Sequence, residues 1–378
     1  MILPVFLIIV GLGLLTVGAD ALVRGSSALA LRLGIPPFVV GLTVVGFGTS
    51  SPELAASLAA ALRGTGDLAV GNVVGSNIFN VAVILGLTAL VAPIPIRFQA
   101  VRAELVWAVA AGAIPWIAFA TNGVIPRWIG LLIFAGLIAF LVRAWIVGRN
   151  APDNPEPKLE AELINLIPPA SDMAVPAAAG TTEATARDVV DAGLPGEGSS
   201  SQFPSESPTT TTTAPSPPRY RFLTSVWWAV TLSVVGLGLL VAGSQLLVGG
   251  AVSIARSLGV SELIIGLTIV AAGTSLPELV TSVAAAMRKS ADLALGNILG
   301  SNVFNIFGIL GLTSIVVPQA VTRQPLALDV PVMFGLSILL AIICFTGAKI
   351  SRLEAAGLLL IFVLYTIVLI GFAPAWFG

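Results

Sequence analysis

The sequence contains no histidine and only one cysteine, Cys344. Metal sites and proton relays that depend on imidazole are therefore excluded, and so is an intramolecular disulfide. Because Cys344 lies in an apolar run, its thiol is expected to be inert packing. Charge is also scarce, since 10% of the 378 residues are charged and the net charge is −1. No basic cluster indicates a nucleic-acid partner.

Apolar residues, in contrast, are abundant. They make up 56% of the chain, and the mean hydropathy is +1.01. Soluble globular domains do not have this composition. Apolar stretches of about 20 residues, each long enough to cross a bilayer as a helix, recur along the chain. The sequence therefore predicts an all-α integral membrane protein with ten transmembrane helices, at 3–23, 37–62, 68–91, 104–121, 127–147, 224–248, 262–286, 293–317, 328–346 and 354–373.

The N-terminal segment and the long segment at 149–222 are interpreted separately. The chain begins directly with an apolar run and has no basic n-region, so 3–23 is predicted to be a retained span and not a cleaved signal. Residues 149–222 are rich in Pro, Ser, Thr, Ala and acidic residues. Such a segment cannot bury enough apolar surface to offset its ordering entropy, so a disordered linker without a regulatory domain is predicted.

The chain contains an internal repeat. Residues 41–90 align without a gap to 266–315, with 30 identities in 50 positions at a constant offset of 225. This predicts two copies of one five-span unit, at 1–148 and 223–378, joined by the linker. Because five is odd, the second copy must enter the membrane from the opposite side, which predicts two inverted repeats.

The basic residues predict the orientation of the chain. If the N-terminus is outside, 14 of the 18 Lys and Arg residues fall on the cytoplasmic side, and the other four are Arg63, Arg127, Arg256 and Arg323. The positive-inside rule then predicts a multi-pass protein of the cell membrane with both termini outside and a cytoplasmic linker.

Two acidic residues stand in the middle of predicted spans. Glu53 in GTSSPEL and Glu278 in GTSLPEL occupy equivalent positions in the two repeats. A charge at the bilayer centre costs at least ~2.5–3.5 kcal/mol, so both carboxylates are expected to have partners or a water-filled cavity. Pro52 and Pro277 cannot donate a backbone hydrogen bond, which predicts a broken helix at each glutamate with carbonyls turned inward.

Other acidic residues have simpler interpretations. Asp67 and Asp292 open their spans and are predicted to be N-caps. Asp20 has Arg24 one helical turn later, so a local ion pair is predicted.

Oxygen-bearing side chains accompany both glutamates. Two stripes, each on one helix face, recur in both repeats: Ser50, Glu53 and Ser57 with Asn72, Ser76 and Asn80, and Ser275, Glu278 and Ser282 with Asn297, Ser301 and Asn305. This set of oxygens suits Ca²⁺ or Na⁺ and argues against Zn²⁺ or Cu⁺. Asn72 and Asn297 are equally typical of hydrogen bonds that hold two membrane helices together.

Charge arithmetic indicates a mode of action. Two ionised glutamates carry −2, which one Ca²⁺ neutralises, or which several Na⁺ ions share with hydroxyl and carbonyl ligands. Calcium and sodium would then compete for Glu53 and Glu278. Competition at one site that is exposed alternately to each side is the minimum requirement for antiport.

The motifs resemble a known family. GTSSPEL with GNVVGSNIFN, and GTSLPEL with GNILGSNVFN, are similar to the two alpha-repeats of the calcium/cation antiporter superfamily, specifically its prokaryotic sodium/calcium exchanger branch. The resemblance covers both 50-residue repeats and the ten-span inverted layout, and it does not extend to the linker.

The resemblance implies roles for individual residues. Glu53 and Glu278 would ligate Ca²⁺ with the carbonyls of Thr49 and Thr274, and Asn80 and Asn305 would complete this central site. The flanking Na⁺ sites would be formed by Ser50, Ser76, Ser275 and Ser301 with the carbonyls of Gly46 and Ala271. The spans 3–23 and 224–248 would slide against the other eight to switch access.

One position departs from part of the family. Several relatives, including potassium-dependent exchangers, carry aspartate where this chain has Asn305. A neutral amide at this position favours exchange that does not require K⁺, and it removes a candidate proton acceptor.

The predicted function is therefore a Na⁺/Ca²⁺ antiporter with Ca²⁺ and Na⁺ as substrates. No cofactor, nucleic acid or obligatory protein partner is expected, and the partner is the lipid bilayer. The first alternative is Ca²⁺/H⁺ antiport, with Glu53 or Glu278 carrying the proton. A passive cation channel would use the same oxygens and differs only in flux stoichiometry. An enzyme is not predicted: GTGD at 64–67 matches intramembrane aspartyl proteases, but the equivalent stretch is KSAD.

Overall fold

The computed structural model describes residues 2–149, 226–258, 271–321 and 325–371. This part of the chain is almost entirely helical. The twelve main helices are α1 (Ile2–Leu33), α2 (Pro37–Thr49), α3 (Ser51–Leu62), α4 (Gly66–Val91), α5 (Phe98–Ala113), α6 (Arg127–Arg149), α7 (Val226–Ser257), α8 (Ala271–Thr274), α9 (Leu276–Met287), α10 (Ala291–Val316), α11 (Val330–Thr346) and α12 (Arg352–Gly371).

Eight of the described helical segments are long and apolar enough to cross a membrane. The pair α2 and α3, which is bent by 43° at a short break, counts as a ninth span. Of the predicted span 262–286, residues 262–270 lie outside the described residues, as does the predicted linker after Arg149. The structure therefore gives an all-helical membrane protein with eight or nine spans in its described part, and the predicted count of ten stays a prediction.

α1 and α7 are longer than the sequence predicts. Each has 32 residues, against a predicted first span of 3–23, so each is about 48 Å long at 1.5 Å per residue. α1 continues through Arg24 because no proline occurs between Pro4 and Pro36, and it ends just before Gly34, which has φ +63°. Both helices exceed a hydrocarbon layer of about 30 Å and must tilt or extend beyond it.

α1 and α7 pack against each other along a seam of glycines spaced seven residues apart. A Cβ atom built on Gly18 would lie 2.8 Å from the carbonyl oxygen of Gly236, and one on Gly11 would lie 2.7 Å from the carbonyl oxygen of Gly243. Real Cβ contacts are not this short, so the two backbones approach as closely as they do only because these positions are glycine.

α4 and α10 form the centre of the molecule, and they are the most deeply buried spans. α3 packs against α4, α9 packs against α10, and α2 lies against α10. At the last contact a Cβ atom built on Gly300 would collide with the Leu42 carbonyl oxygen. The outer faces of the peripheral helices carry exposed large apolar side chains, including Leu131, Leu132 and Val363, as expected of a lipid-facing surface.

Two short ribbons connect loops from the two halves of the chain, and the sequence did not predict them. Ile94–Pro95 (β1) pairs antiparallel with Lys349–Ile350 (β4), and Val124–Ile125 (β2) pairs antiparallel with Gln319–Ala320 (β3). Each ribbon joins a first-half loop to a second-half loop, so the halves are hydrogen-bonded to each other outside the helices.

The structure tests the predictions made for three acidic residues outside the site, and one of these predictions is correct and the other wrong. The predicted Asp20–Arg24 ion pair is confirmed at 2.8 Å, and Asp20 also contacts Arg288. The predicted N-caps at Asp67 and Asp292 are wrong. The helices begin at caps two residues earlier, Thr65 and Ser290, which leaves both aspartates in the first turn. A carboxylate there is still favourable because it faces the positive end of the helix dipole.

Candidate functional site

Both mid-span glutamates lie in the first turn of a helix that follows a break. Glu53 is in α3, Glu278 is in α9, and each side chain is only 1% exposed. The backbone leaves helical geometry at Ser50 (φ −81°, ψ 4°) and at Ser275 (φ −89°, ψ 7°). The prolines that follow two residues later lack an N–H group, so they cannot donate to the carbonyls four residues earlier, at Gly48 and Gly273. The helix break predicted from the prolines is thus confirmed.

The two carboxylates are held by hydroxyl groups from the opposite half of the chain. Ser50 Oγ donates to Glu278 Oε1 at 3.0 Å, and Ser275 Oγ donates to Glu53 Oε1 at 2.9 Å. These reciprocal hydrogen bonds place the two breaks face to face. They also bring two buried acidic groups close enough to repel each other when both are ionised.

Four oxygen atoms at this place lack a hydrogen-bond donor among the described residues. They are Glu53 Oε2, Glu278 Oε2, Asn80 Oδ1 and Asn305 Oδ1. All four side chains are at most 1% exposed. Buried polar atoms without a partner are rare in native structures and call for an explanation. Two carboxylate and two amide oxygens, two from each repeat, form a set of hard ligands that suits a Ca²⁺ or Na⁺ substrate.

Asn80 and Asn305 occupy π-helical turns in the central helices. The turn in α4 spans Asn80–Ile84, and the turn in α10 spans Phe304–Leu310. Such turns are uncommon and occur frequently at functional sites because they disturb the regular backbone ladder. The periodicity of the apolar residues gave no signal for them.

The outer members of the asparagine stripes connect each broken helix to the next span. Asn72 Nδ2 donates to Ser57 Oγ at 2.8 Å and to the Glu53 carbonyl at 3.3 Å. In the second repeat, Asn297 Nδ2 donates to Ser282 Oγ at 2.9 Å. Both amide nitrogens therefore hold two helices together. The Asn297 Oδ1 atom in addition accepts from Thr49 Oγ1 at 3.2 Å.

Two of the residues predicted for the flanking positions are in contact across the two halves of the chain. Ser301 Oγ donates to the Gly46 carbonyl at 3.3 Å, which joins two predicted sodium ligands from different halves. Thr274 interacts with the Glu53 carboxylate, and Thr49 with Glu278. Ser76 is buried in α4. Ala271, the mate of Gly46, is the first described residue of α8.

The sequence reasoning missed two further asparagines. Asn77 and Asn302 are each 4% exposed and lie three residues before Asn80 and Asn305. They bond to the central amides of the opposite half: Asn80 Nδ2 donates to Asn302 Oδ1, and Asn305 Nδ2 donates to Asn77 Oδ1, both at 3.0 Å. Their recurrence in both copies of the motif GSNxFN was a signal that could have identified them.

The described residues contain no group of three or more His, Cys, Asp or Glu side chains that could hold a metal ion. The candidate site accordingly combines two carboxylates with neutral oxygens.

Comparison with known proteins identifies a family whose members resemble this chain. The chain matches the family described as "Sodium/calcium exchanger protein" over residues 3–146 and 228–371. It is 33% identical to the sodium/calcium exchanger MaX1 of Methanosarcina acetivorans, covering 96% of this chain and 97% of that protein. It is 32% identical to the inner membrane protein YrbG of Escherichia coli, covering 91% and 89%.

Solved structures resemble this chain over almost its whole length. The sodium-calcium exchanger NCX_Mj, soaked with 2.5 mM Na⁺ and 0.1 mM Ca²⁺, superposes with a TM-score of 0.70 at 26% identity and covers 98% of this chain and 99% of its own. The same exchanger soaked without Na⁺ and Ca²⁺ superposes equally well, at 0.70. The chain therefore belongs to the sodium/calcium exchanger protein family, as a prokaryotic exchanger of the calcium/cation antiporter superfamily.

Proposed function

We propose that the chain exchanges Na⁺ for Ca²⁺ by alternating access at one site near the middle of the membrane. The observation that carries the proposal is the set of four buried acceptor oxygens on Glu53, Glu278, Asn80 and Asn305, for which the described part of the chain provides no donor. A cation is the partner that such oxygens require, and each repeat contributes half of them.

The charge of the site supports competition between the two ions. If both glutamates are ionised, their charge of −2 is neutralised by one Ca²⁺ or by two Na⁺. Desolvated like charges are unstable together, so the site favours a bound cation strongly and is poorly suited to remain without one. If the site changes the side to which it is exposed only when a cation is bound, the passage of one ion is coupled to the return of the other.

The proposed ligands follow from the contacts. Glu53, Glu278, Asn80, Asn305 and the carbonyls of Thr49 and Thr274 hold Ca²⁺. The Na⁺ positions on either side use hydroxyl and carbonyl oxygens, from Ser50, Ser76, Ser275, Ser301, Gly46 and Ala271. The contact of Ser301 with the Gly46 carbonyl supports one of these positions.

The proposed architecture is two inverted five-span repeats, 1–148 and 223–378, with both termini outside and 149–222 in the cytoplasm. The reciprocal bonds Ser50 to Glu278 and Ser275 to Glu53, together with the crossed loop ribbons, support a two-fold relation between the halves. Because the proposed ligands come from both halves, sliding of α1 and α7 against the other helices would expose the site to one side at a time.

The neutral side chain of Asn305 supports exchange that does not need K⁺. An aspartate there would raise the charge of the site to −3, which one Ca²⁺ cannot neutralise, so a further cation or a proton would have to accompany it. With the amide, Ca²⁺ alone balances the site.

The experiment is uptake of ⁴⁵Ca²⁺ into sealed vesicles that contain the purified full chain. Three driving conditions are compared: an outward Na⁺ gradient, a pH gradient, and K⁺ in Na⁺-free buffer. Uptake is expected with the Na⁺ gradient alone. Uptake that follows pH and ignores Na⁺ would transfer the protein to Ca²⁺/H⁺ antiport. Uptake down the Ca²⁺ gradient without counter-ion movement would indicate a channel.

Two variants test the site itself. Glu53→Gln and Glu278→Gln keep the size of each side chain and remove its charge, and either change is expected to abolish calcium flux. Glu354→Gln is the matched control, because Glu354 only accepts hydrogen bonds from Ser351 at the start of α12. Glutamine can serve this cap as well, so transport should persist. Calcium flux retained in either site variant would disprove the assignment.

A further inference from the structure

Asn77 and Asn302 are buried beside the proposed site without being among its ligands. Each accepts a hydrogen bond from a central amide of the opposite repeat: Asn302 Oδ1 from Asn80 Nδ2, and Asn77 Oδ1 from Asn305 Nδ2, both at 3.0 Å. Two equivalent contacts in two copies of one motif argue against a chance arrangement.

The orientation of Asn77 is itself fixed. Its Nδ2 donates to the backbone carbonyl of Asn302 at 3.3 Å and contacts Met333 Sδ at 3.6 Å. Since a carbonyl oxygen can only accept, the amide nitrogen of Asn77 must face it, and its Oδ1 must then face Asn305. The local backbone therefore determines which end of Asn77 reaches the central amide.

The same logic determines what Asn80 and Asn305 present to the site. A side-chain amide has a donor end and an acceptor end that exchange places when it flips by 180°. With the donor end held by Asn302 or Asn77, the acceptor end points away from it. That end is the Oδ1 atom without a partner among the described residues. A flipped amide would place its partly positive N–H groups against the cation.

We propose that Asn77 and Asn302 are positioning residues, which hold the amide oxygens of Asn80 and Asn305 towards the cation. The inference rests on the proposed function, because it assigns a role at the same site. It gives these asparagines an effect on cation affinity that exceeds their effect on stability.

The inference makes a specific claim about Asn305. A carboxylate has two equivalent oxygens and presents one of them in either orientation, so it needs no neighbouring residue to fix its orientation. In an Asn305→Asp background, Asn77 should therefore have little left to position. A merely structural role for Asn77 would be the same in both backgrounds.

The test is a double-mutant cycle on the purified full chain in detergent, read by equilibrium ⁴⁵Ca²⁺ binding and by thermal unfolding. Asn77→Ala is expected to weaken Ca²⁺ binding roughly tenfold in the Asn305 background, since one hydrogen bond to the amide is at stake. With Asn305→Asp the same change should not weaken binding, because Asn77 Oδ1 would face a carboxylate oxygen there and makes no hydrogen bond to it. Asn302→Ala is expected to match the tenfold loss in the Asn305 background.

Asn72→Ala is the matched control. Asn72 bonds to Ser57 and to the Glu53 backbone and does not contact a central amide. Its effect on binding should be the same in both backgrounds. If Asn77→Ala does not fold, Asn302→Ala with Asn80→Asp is the second cycle, and the loss of Ca²⁺ binding should again be confined to the background with the amide.

Each outcome decides the proposal. A loss confined to the Asn305 background supports it. Equal losses in both backgrounds, or no loss at all, would overturn it while leaving the proposed function intact. Absence of Ca²⁺ binding in the parent chain would instead overturn the proposed function, and this inference with it.

Discussion

The hydroxyl groups of Ser50 and Ser275 connect the buried carboxylates to the opposite half of the molecule. Each donates to one glutamate oxygen, and the other oxygen of that carboxylate has no donor among the residues that the structure describes. A hydrogen bond to a charged group is worth about 1.5–3 kcal/mol, which helps to offset the burial of the charge. The hydroxyl thus stabilises the anion and at the same time determines which oxygen remains for an ion.

Ser50→Ala is predicted to lower the apparent affinity for Ca²⁺ by about tenfold, because the Glu278 carboxylate loses the donor that orients it. Ser51→Ala is the matched control, since the neighbouring hydroxyl only bonds to the Phe47 carbonyl within its own helix. Calcium-dependent uptake measured over a range of Ca²⁺ concentrations distinguishes them. Equal effects of the two substitutions would contradict the orienting role of Ser50.

The sequence was informative about single residues and uninformative about their pairing. Glu53 and Glu278 stood out because a charge in an apolar span is costly, and this cost is visible without coordinates. The crossed bonds from Ser50 and Ser275 were not predictable, because they depend on how two segments 225 residues apart face each other. The contacts of Asn77 and Asn302 were missed for the same reason, since they too join segments that are far apart in the chain, although the motif GSNxFN marks both residues.

At the scale of helices, the breaks at Ser50 and Ser275 and the π-helical turns in α4 and α10 lie side by side. The breaks were predictable because proline has a known effect on a helix. The π-helical turns at Asn80–Ile84 and Phe304–Leu310 were not, since one extra residue in a turn leaves the apolar pattern almost unchanged. All four irregular segments surround the same buried oxygens, where a regular helix would have its carbonyls fully occupied.

Pro52→Ala is predicted to reduce calcium transport by restoring a donor for the Gly48 carbonyl and so reducing the 43° bend. Pro331→Ala is the control, because Pro331 is likewise the second residue of its helix and lies far from the glutamates in sequence. Both substitutions loosen the unfolded chain by a similar ~0.4–1 kcal/mol. A comparable transport loss in both variants would show that the bend at Pro52 is not needed.

The seam between α1 and α7 gives a separate prediction. Gly18→Ala would place a methyl group 2.8 Å from the Gly236 carbonyl oxygen, so the helices must separate, at a cost of about 1–3 kcal/mol. In Gly13→Ala, the added Cβ has no described atom within 4 Å, so that variant should be neutral or slightly stabilised. Thermal unfolding in detergent measures both. Unchanged stability of Gly18→Ala would contradict the close approach.

At the scale of the whole molecule, the two halves of the chain contact each other through both their helices and their loops. α1 packs along α7, α2 packs against α10, and each ribbon pairs one loop from each half. The sequence predicted two units, because the repeat was visible at a constant offset. It did not predict these contacts between the halves, because they arise from packing between segments that are remote in the chain.

Because the contacts between the halves lie outside the linker, a chain cut within 149–222 is predicted to assemble from two separately encoded fragments. The fragments should co-purify from a membrane and restore Na⁺-driven ⁴⁵Ca²⁺ uptake. Each fragment alone should not transport, since it carries only one of the two glutamates. The control is the same pair with Glu278→Gln in the second fragment. Fragments that fail to associate would contradict the prediction.

The neutral amide at Asn305, which leaves the site with two carboxylates, has an electrical consequence. If both glutamates are ionised, the proposed site with one Ca²⁺ bound carries no net charge, and its passage would be insensitive to the membrane voltage. Two Na⁺ would leave the site equally neutral, but every further Na⁺ would add one positive charge, on which 100 mV acts with about 2.3 kcal/mol. In the proposed cycle any current would therefore arise in the sodium-loaded step, and the membrane voltage would act on that step alone.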